Sequence, residues 1–490
     1  MKSKSLLLSA CFFLVALLAC NPFAPSTSAP TPSPTAPRHL EPSSKTATPD
    51  QPIIITATPS DGTRALDLAG PWLLAIDESS VLAFNADGSG QTELLSFGPQ
   101  NFALSPDGRK LAYIADTHPE DESRGFQLRL LVLPSGPDEL ITELQNPDLL
   151  PPDEPGIGDP VTEAFRAIGM TAPRWSHNGS YIAFIGQQEG PSADLYVYDI
   201  QEREITQLTD GPSQAYGISW SPGDDFIFHA GVDSFGTGAG YADVGSWIAR
   251  RDDTGIIDVS TGGGSDQAMA WYVDDGVLLT SWRQPCGMAD LQSLEIEAAA
   301  SEMIWPYFLE FLVFDESTGA LAFLVPEGFD TCVEGGQPTG LFFMDDIDDT
   351  PQAVSDQEFE GLLLDPSTPG AFLLRDDAGT YHFQPPDRID FLGVTPSRDP
   401  LYSPGSDTWL WYGSWRENEG LWIGQLPGTP RKVFDEGVMS ATWSPDGTEV
   451  LFVGSSDYRL YTSAAPDFEP QPIIPSIVFD GLTYLLWAGR

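Results

Sequence analysis

The chain has 490 residues, of which 71 are Asp or Glu and 23 are Lys or Arg, so its formal net charge is −48. A nucleic-acid backbone or an anionic lipid surface would repel such a chain, which argues against binding to either through a basic patch. Apolar residues make up 41% of the sequence, which is enough to bury a core and excludes a disordered acidic tail. The length allows two or three ordinary domains or one large repeat architecture.

Residues 1–19 have the pattern of an export signal. Lys2 and Lys4 precede an almost wholly apolar stretch, Leu6 to Leu18, which is too short to cross a bilayer stably. The stretch ends in Leu17-Leu18-Ala19-Cys20, which resembles a bacterial lipobox. The resemblance implies cleavage before Cys20 and a lipid on its sulfur. The alternative is an ordinary cleavable signal with a chance Cys.

Residues 20–60 are predicted to be the lipidated Cys and a tether. Residues 21–50 contain eight Pro and ten Ser or Thr, a composition that cannot build a core and favours an extended spacer. We therefore expect one globular domain at 61–490, held by lipid at the bacterial cell envelope, outside the cytoplasmic membrane. Its remaining cysteines, Cys286 and Cys332, are most simply one disulfide in an exported chain, and two free thiols are the alternative.

An apolar anchor residue followed by a turn like Ser-Pro-Asp-Gly recurs along the body. The clearest copies begin at Leu104, Trp175, Trp220 and Trp443, and weaker copies begin at Trp271, Phe314, Leu364 and Tyr402. Pro sets φ in such a turn, and Gly takes the position with positive φ. Alternating strands follow each turn, so that about four short strands recur every 40 to 50 residues or so, the pattern of a propeller blade.

These copies resemble the WD-repeat-like (PD-repeat) blades of the TolB-type β-propeller family over about residues 100–460. The resemblance implies a closed ring of four-stranded sheets around a central channel. We therefore predict an all-β fold, a single β-propeller of about eight blades, with seven to nine as the range. An N-terminal unit at 66–100 and a C-terminal strand, Leu482 to Trp487, would pair and close the ring.

One face of this ring is expected to carry nearly all the long connections. In the predicted strand order, the segments 116–126, 146–172, 231–246, 283–290, 326–340 and 414–419 all link second to third strands or one blade to the next. Function concentrates on loops held by a rigid scaffold, so we expect binding on this face, with neutral loop growth as the alternative. A Cys286–Cys332 disulfide would join equivalent loops of adjacent blades there.

Two predicted second strands end in Ser-Trp-Arg on this face, which places Trp282, Arg283, Trp415 and Arg416 near it. Trp beside Arg suits sugars, peptides or carboxylates through stacking and paired hydrogen bonds, and core Trp with solvated Arg is the alternative. Further candidates for ligand contact are Tyr241, Trp247 and Phe329.

Catalytic and metal-binding motifs are not evident in the sequence. The five His have no metal-ligand spacing, and there is no nucleophile elbow, Walker loop or dinucleotide fingerprint. Acidic runs such as Asp345 to Asp349 differ from the calcium-loop pattern, so solvated turns are expected, with structural calcium as the alternative. We predict a monomeric, non-catalytic scaffold that binds an envelope protein or extracellular ligand. The alternative is a propeller hydrolase or lyase acting on a glycan or peptide at the channel mouth.

Overall fold

The computed structural model describes residues 65–99, 101–116, 125–146, 149, 158–236, 241–260, 266–283, 288–298, 300–327, 337–396, 400–414, 419–473, 479 and 483–489. At positions 241, 266, 267, 281–283, 288 and 289 the description covers the backbone alone.

The described residues form nine antiparallel sheets of four strands each, so the fold is an all-β propeller with nine blades. The prediction of about eight blades is one too few, although nine lies within the predicted range. The N-terminal unit and the C-terminal strand together make a complete blade, which adds one to the eight units that begin with a recognisable anchor residue.

The strands follow one another in chain order around the ring. Blades 1 to 3 contain β1 (Trp72–Ile76), β2 (Val81–Asn85), β3 (Thr92–Leu95), β4 (Asn101–Leu104), β5 (Lys110–Asp116), β6 (Phe126–Val132), β7 (Asp138–Glu143), β8 (Arg174–Trp175), β9 (Tyr181–Gly186), β10 (Asp194–Asp199) and β11 (Ile205–Gln207). Blades 4 to 6 contain β12 (Gln214–Trp220), β13 (Phe226–Phe235), β14 (Tyr241–Arg250), β15 (Ile256–Asp258), β16 (Asp266–Val273), β17 (Gly276–Arg283), β18 (Met288–Glu295), β19 (Ala300–Trp305), β20 (Phe311–Asp315), β21 (Ala320–Val325), β22 (Gly340–Met344) and β23 (Gln352–Ser355). Blades 7 to 9 contain β24 (Gly361–Leu364), β25 (Phe372–Asp376), β26 (Gly379–Gln384), β27 (Arg388–Gly393), β28 (Leu401–Ser403), β29 (Thr408–Gly413), β30 (Gly420–Gly424), β31 (Arg431–Phe434), β32 (Val438–Trp443), β33 (Glu449–Gly454), β34 (Leu460–Ala464) and β35 (Gln471–Pro472).

The ring is closed by the last strand, β36 (Tyr484–Ala488), which pairs with β1 from Ile76 to Trp72. The sheet order β36-β1-β2-β3 makes β36 the innermost strand of blade 1. The first strands of successive blades lie next to one another and surround the channel, whereas fourth strands such as β15, β23 and β35 are largely exposed. The core therefore lies between the blades.

The repeated turn joins the first and second strands of a blade, as predicted. In blade 9 the Ser444 hydroxyl donates to Asp446 Oδ1 at 2.6 Å, and Gly447 has a φ of 71°. The Ser444 hydroxyl and the Thr448 backbone amide hold the pKa of the Asp446 carboxyl below its usual value. These turns and the third-to-fourth turns form what we call the tight-turn face. The second-to-third and blade-to-blade connections form the opposite, loop-rich face.

The anchor tryptophans join each blade to the one before it. The indole Nε1 of Trp175, Trp220 and Trp443 donates to the carbonyl oxygen of Ala103, Arg174 and Leu401, respectively, at 3.0 to 3.1 Å. Each acceptor lies in the first strand of the preceding blade. The repeated Trp in the sequence is therefore an inter-blade fastener as well as a core residue.

The segment 146–172, predicted as a long loop, contains helix α1 (Pro160–Met170) between blades 2 and 3. Within the described residues, no helix has the length and apolar character that crossing a membrane requires.

Candidate binding face

Helix α1 and two long hairpins build the loop-rich face at blades 3 to 5. Strands β13 and β14 each have ten residues, and β17 and β18 each have eight, whereas most strands have four to seven. The segment 231–246, predicted as an insertion loop, is therefore mostly an extension of a β-hairpin. At about 3.3 Å per residue, four extra residues carry this hairpin roughly 13 Å beyond an ordinary blade.

The sequence explains why α1 forms at this place. Asp159 accepts hydrogen bonds from the backbone amide and the hydroxyl of Thr162 at 2.9 and 2.8 Å, which caps the helix, and Pro160 occupies the first turn. Ala164, Ala167 and Ile168 follow at helical spacing and are fully buried against blades 2 to 4. Asp159 and Pro160 are a helix start signal that the sequence contains, but the blade repeat alone predicts only a connection here.

A buried carboxylate fixes the tip of the blade 4 hairpin to α1. Glu163 is fully buried, and its Oε2 accepts from the Phe235 amide at 2.7 Å, while its Oε1 accepts from the Gly158 amide at 3.0 Å. Arg166 Nη1 donates to Glu163 Oε1 and to the Phe235 carbonyl oxygen, both at 3.0 Å. The α1–hairpin junction is therefore held by a charge-assisted network with little access to water.

A second buried acid, Asp194, fixes the connection between blades 3 and 4. Its carboxylate accepts from the Thr209 hydroxyl and the Gly211 amide at 3.0 Å and from the Ser192 hydroxyl at 3.2 Å. Burial raises the pKa of Asp194 to about 7, even though these three hydrogen bonds oppose the shift. Because Asp194 is only 1% exposed, it braces the face and does not reach a ligand.

Trp247, one of the predicted contact residues, packs against a buried histidine. It is half-buried, and its ring stacks on His229 with centroids 5.7 Å apart. Burial lowers the pKa of His229 to about 4, and the backbone of Ala230 only weakly opposes this shift. Neither ring nitrogen of His229 makes a hydrogen bond of normal geometry. Trp247 is thus part of the packing of blade 4.

The other predicted residues fall into two groups. Trp282 and Arg283 end strand β17 at the loop-rich face, and Tyr241 begins β14 there, but the description of these three stops at the backbone. Cys20, Cys286, Phe329, Cys332, Trp415 and Arg416 lie outside the described residues, as do the predicted signal and tether. The assigned segments do connect second to third strands or consecutive blades, so the predicted sorting of the two faces agrees with the strand order.

Among the described residues, no group of three or more His, Cys, Asp or Glu side chains could hold a metal ion. His177 contacts Asp224 of the next blade at 3.0 Å, in a bond between two tight turns. That contact belongs to the inter-blade packing of the tight-turn face.

Comparisons with known proteins give the fold and little else. No family model matches the chain. A crystal structure of the eukaryotic initiation factor aligns with a TM-score of 0.51 and 12% identity, covering 86% of this chain and 96% of that one. TolB from Acinetobacter baumannii aligns with a TM-score of 0.28 and 16% identity over 57% of this chain and 62% of that one.

A short stretch of sequence is more similar to a curated protein. It is 43% identical over 60 residues to an uncharacterized peptidase, YuxL, from Bacillus subtilis (strain 168). The match covers 12% of this chain and 9% of the length of that relative. The nine four-stranded sheets define the class as a nine-bladed β-propeller.

Proposed function

We propose that this protein is a lipid-anchored scaffold of the bacterial envelope that binds a protein or an extended peptide on its loop-rich face. The observation that carries the proposal is the position of Ala65 and Gly489. Both lie at the tight-turn face, so a tether from an anchor at Cys20 would join the ring on the side away from the loop-rich face.

Hydrogen bonds to tight turns hold Ala65 and Gly489 in place. The carbonyl oxygen of Ala65, the first described residue, accepts from Asn85 Nδ2 at 3.2 Å, and Asn85 begins the turn between β2 and β3. The amide of Gly489 donates to the carbonyl oxygen of Gly108 at 2.7 Å, within the turn between β4 and β5. Both turns lie on the tight-turn face, which supports the proposed orientation.

The loop-rich face offers chemistry that suits a peptide partner. We propose that the Ser-Trp-Arg segments at 281–283 and 414–416 offer Trp282, Arg283, Trp415 and Arg416 for stacking and for hydrogen bonds to carboxylates and carbonyl oxygens. The bracing by Glu163 and Asp194 pre-organises this face, which reduces the entropy lost on binding.

Photo-crosslinking with the full chain in its native envelope tests the proposal. A photoreactive amino acid replaces Val244 on the loop-rich hairpin or, as a matched control, Ile256 in the same blade beside a tight turn; they are 44% and 41% exposed. We expect one defined protein adduct from position 244, lost in a Trp282→Ala/Trp415→Ala background. Adducts from position 256 alone, or an adduct indifferent to the Trp changes, would contradict the proposal.

A second candidate function is a propeller that takes part in peptide hydrolysis. It is favoured by the 60-residue match to a protein named as a peptidase. Incubating the purified full chain with a mixed peptide library, followed by mass spectrometry, tests this candidate. New termini that accumulate with time would support it, and an unchanged library would favour the scaffold.

A further inference from the structure

One equivalent residue can be compared from blade to blade on the innermost strands. This residue precedes the anchor at the end of the first strand, and the same position is defined in every blade by its pairing with the second strand. We call these nine residues the channel ring: Ala103, Arg174, Ser219, Ala270, Val313, Leu363, Leu401, Thr442 and Leu486. None of the nine is fully buried, although they lie on the innermost strands with blades on both sides. Part of Val313 and Leu363 packs against the inter-blade core, and we infer that the exposed part of the ring residues faces the channel.

Arg174 carries the one charge of this ring. The first strands hold two other charged residues, and neither belongs to the ring: Asp266 begins β16 at its loop-rich end, and Asp315 ends β20. The Asp315 carboxylate is already bound, because it accepts from the Ser317 hydroxyl at 2.6 Å and from the Gly370 amide at 2.9 Å. In a chain of net charge −48, the ring is thus neutral apart from a single cation.

Hydrogen bonds hold the backbone of Arg174 in place, whereas its side chain has no ion pair with a described residue. Its carbonyl oxygen accepts from Trp220 Nε1 at 3.1 Å, and its strand pairs with Ala183. No ion pair of the guanidinium occurs among the described residues. An exposed guanidinium offers five donors in a planar fork that matches a carboxylate.

The wall opposite Arg174 is largely apolar. In a ring of nine, blades 7 and 8 lie directly across the channel from blade 3, and their ring residues are Leu363 and Leu401. Blades 6 and 9 flank them with Val313 and Thr442. A ligand that contacts both walls therefore needs an anionic group on one side and an apolar body on the other.

We propose that the channel binds a carboxylate attached to an apolar body, with the Arg174 guanidinium on the carboxylate and Val313, Leu363 and Leu401 on the apolar part. Two sources share this chemistry: the C-terminal end of an apolar peptide and a fatty acid. This site goes beyond the proposed loop-rich binding face, because it lies inside the ring and uses none of the residues of that face.

Calorimetric titration of the full chain tests the site with three probes. These are an N-acetylated Ala-Leu-Val-Leu peptide with a free carboxylate, the same peptide as its C-terminal amide, and dodecanoate. We expect the free acid to bind at least tenfold more tightly than the amide, and Arg174→Gln to abolish this difference. Arg174→Lys should keep part of it, since an ammonium retains the charge without the fork.

Control variants show whether a change in affinity comes from this site or from the loss of any positive charge. Arg203→Gln removes an exposed arginine on the tight-turn side, paired with Glu139, and should leave all affinities unchanged. Leu363→Asp should weaken both peptides and dodecanoate. Binding of the acid peptide without dodecanoate, or the reverse, identifies the source of the carboxylate.

The site would be disproved by equal affinities of acid and amide, by no binding of either acid at millimolar concentration, or by an unchanged preference in Arg174→Gln. The Trp282→Ala/Trp415→Ala variant should bind all three probes normally, so failure of the loop-rich proposal leaves this result untouched, and the converse also holds.

Discussion

At the residue scale, the imidazole of His229 makes stability depend on pH. It is fully buried, and its pKa falls from the ordinary value near 6.5 to about 4. Between these two values the unfolded chain takes up a proton that the folded chain does not, so the folded state loses stability as pH falls from 6.5 to 4. Above pH 6.5 both states are neutral at this site and the effect vanishes.

We therefore expect His229→Phe to flatten the pH dependence of stability. Between pH 7 and pH 5 the free energy of unfolding of the wild type should fall by about 2 kcal/mol relative to that of the variant, because of the shift of the His229 pKa. Urea denaturation of both proteins at several pH values measures this difference. Between pH 7.5 and 8.5 the difference should be constant, and a constant difference down to pH 5 would refute the assignment.

Asp194 acts in the opposite direction. Burial raises its pKa to about 7, so the folded chain holds a proton that the unfolded chain releases, and the stability associated with this group is lost as pH rises through 7. Asn at position 194 cannot ionise. The free energy of unfolding of Asp194→Asn should therefore rise by roughly 2 to 3 kcal/mol relative to that of the wild type between pH 5 and pH 8. Asp233→Asn, at an exposed position, serves as the control in the same denaturation series. If the free energy of unfolding of Asp194→Asn fell relative to that of the wild type as the pH rose to 8, the raised pKa would be contradicted.

At the scale of elements, α1 is held to the blade 4 hairpin by few but buried bonds. Glu163→Gln removes the charge that pairs with Arg166 and leaves one of its donors without an acceptor, at a cost of about 1 to 3 kcal/mol. Hydrogen exchange at the Phe235 amide should be faster by a corresponding factor. Met170→Ala on the same helix is the control, because Met170 is 53% exposed and should change neither stability nor exchange. Normal Phe235 protection in Glu163→Gln would show that the network does not hold the hairpin.

The anchor tryptophans combine two contributions that substitution can separate. Trp443→Phe keeps most of the buried ring but removes the hydrogen bond to Leu401, so it should cost roughly 1 kcal/mol. Trp443→Ala also leaves a cavity between blades 8 and 9 and should cost about 3 to 5 kcal/mol. The denaturant midpoints of the two variants measure how the stability loss divides between the hydrogen bond and the packing. Equal losses would mean that the indole N–H, rather than packing, joins the blades.

Regular features of the blades could be predicted from the sequence because each repeat is locally consistent. The anchor at Trp443, the turn at Ser444 to Gly447 and the alternating strand after it identify one another without tertiary information. Helix α1 and the long hairpin of blade 4 depart from the repeat, and their form depends on partners distant in sequence, such as Glu163 with Phe235. Arg174 was missed for the same reason, since only the closed ring shows that its eight counterparts are neutral.

The rim candidates show a further limit of a pattern. Trp247, predicted to contact a ligand, lies seven residues into β14, nearer its tight-turn end, and packs on His229. The sequence could not show this, because the packing of Trp247 depends on a histidine in the paired strand β13.

At the scale of the whole molecule, the ring is completed by pairing the two ends of the chain. Blade 1 receives its innermost strand from β36, so its four-stranded sheet combines the first three described strands with the last one. Closure of this kind couples the first and last blades and leaves no innermost edge of β1 free for pairing with another chain.

Two residues of β36 provide a matched test of this coupling. Trp487 is buried between blades 9 and 1 against Leu451 and Phe84, whereas Tyr484, three residues earlier, is 48% exposed and contacts Phe102 at the edge of its ring. Trp487→Ala should therefore lower stability by about 3 to 5 kcal/mol, and Tyr484→Ala by roughly 1 kcal/mol. Hydrogen exchange at Leu74, which pairs with Leu486, reports opening of the closure itself and should be faster in Trp487→Ala. If Leu74 kept its full protection while the protein lost stability, the closing strand would be passive packing and the ring would be held by its other eight blades.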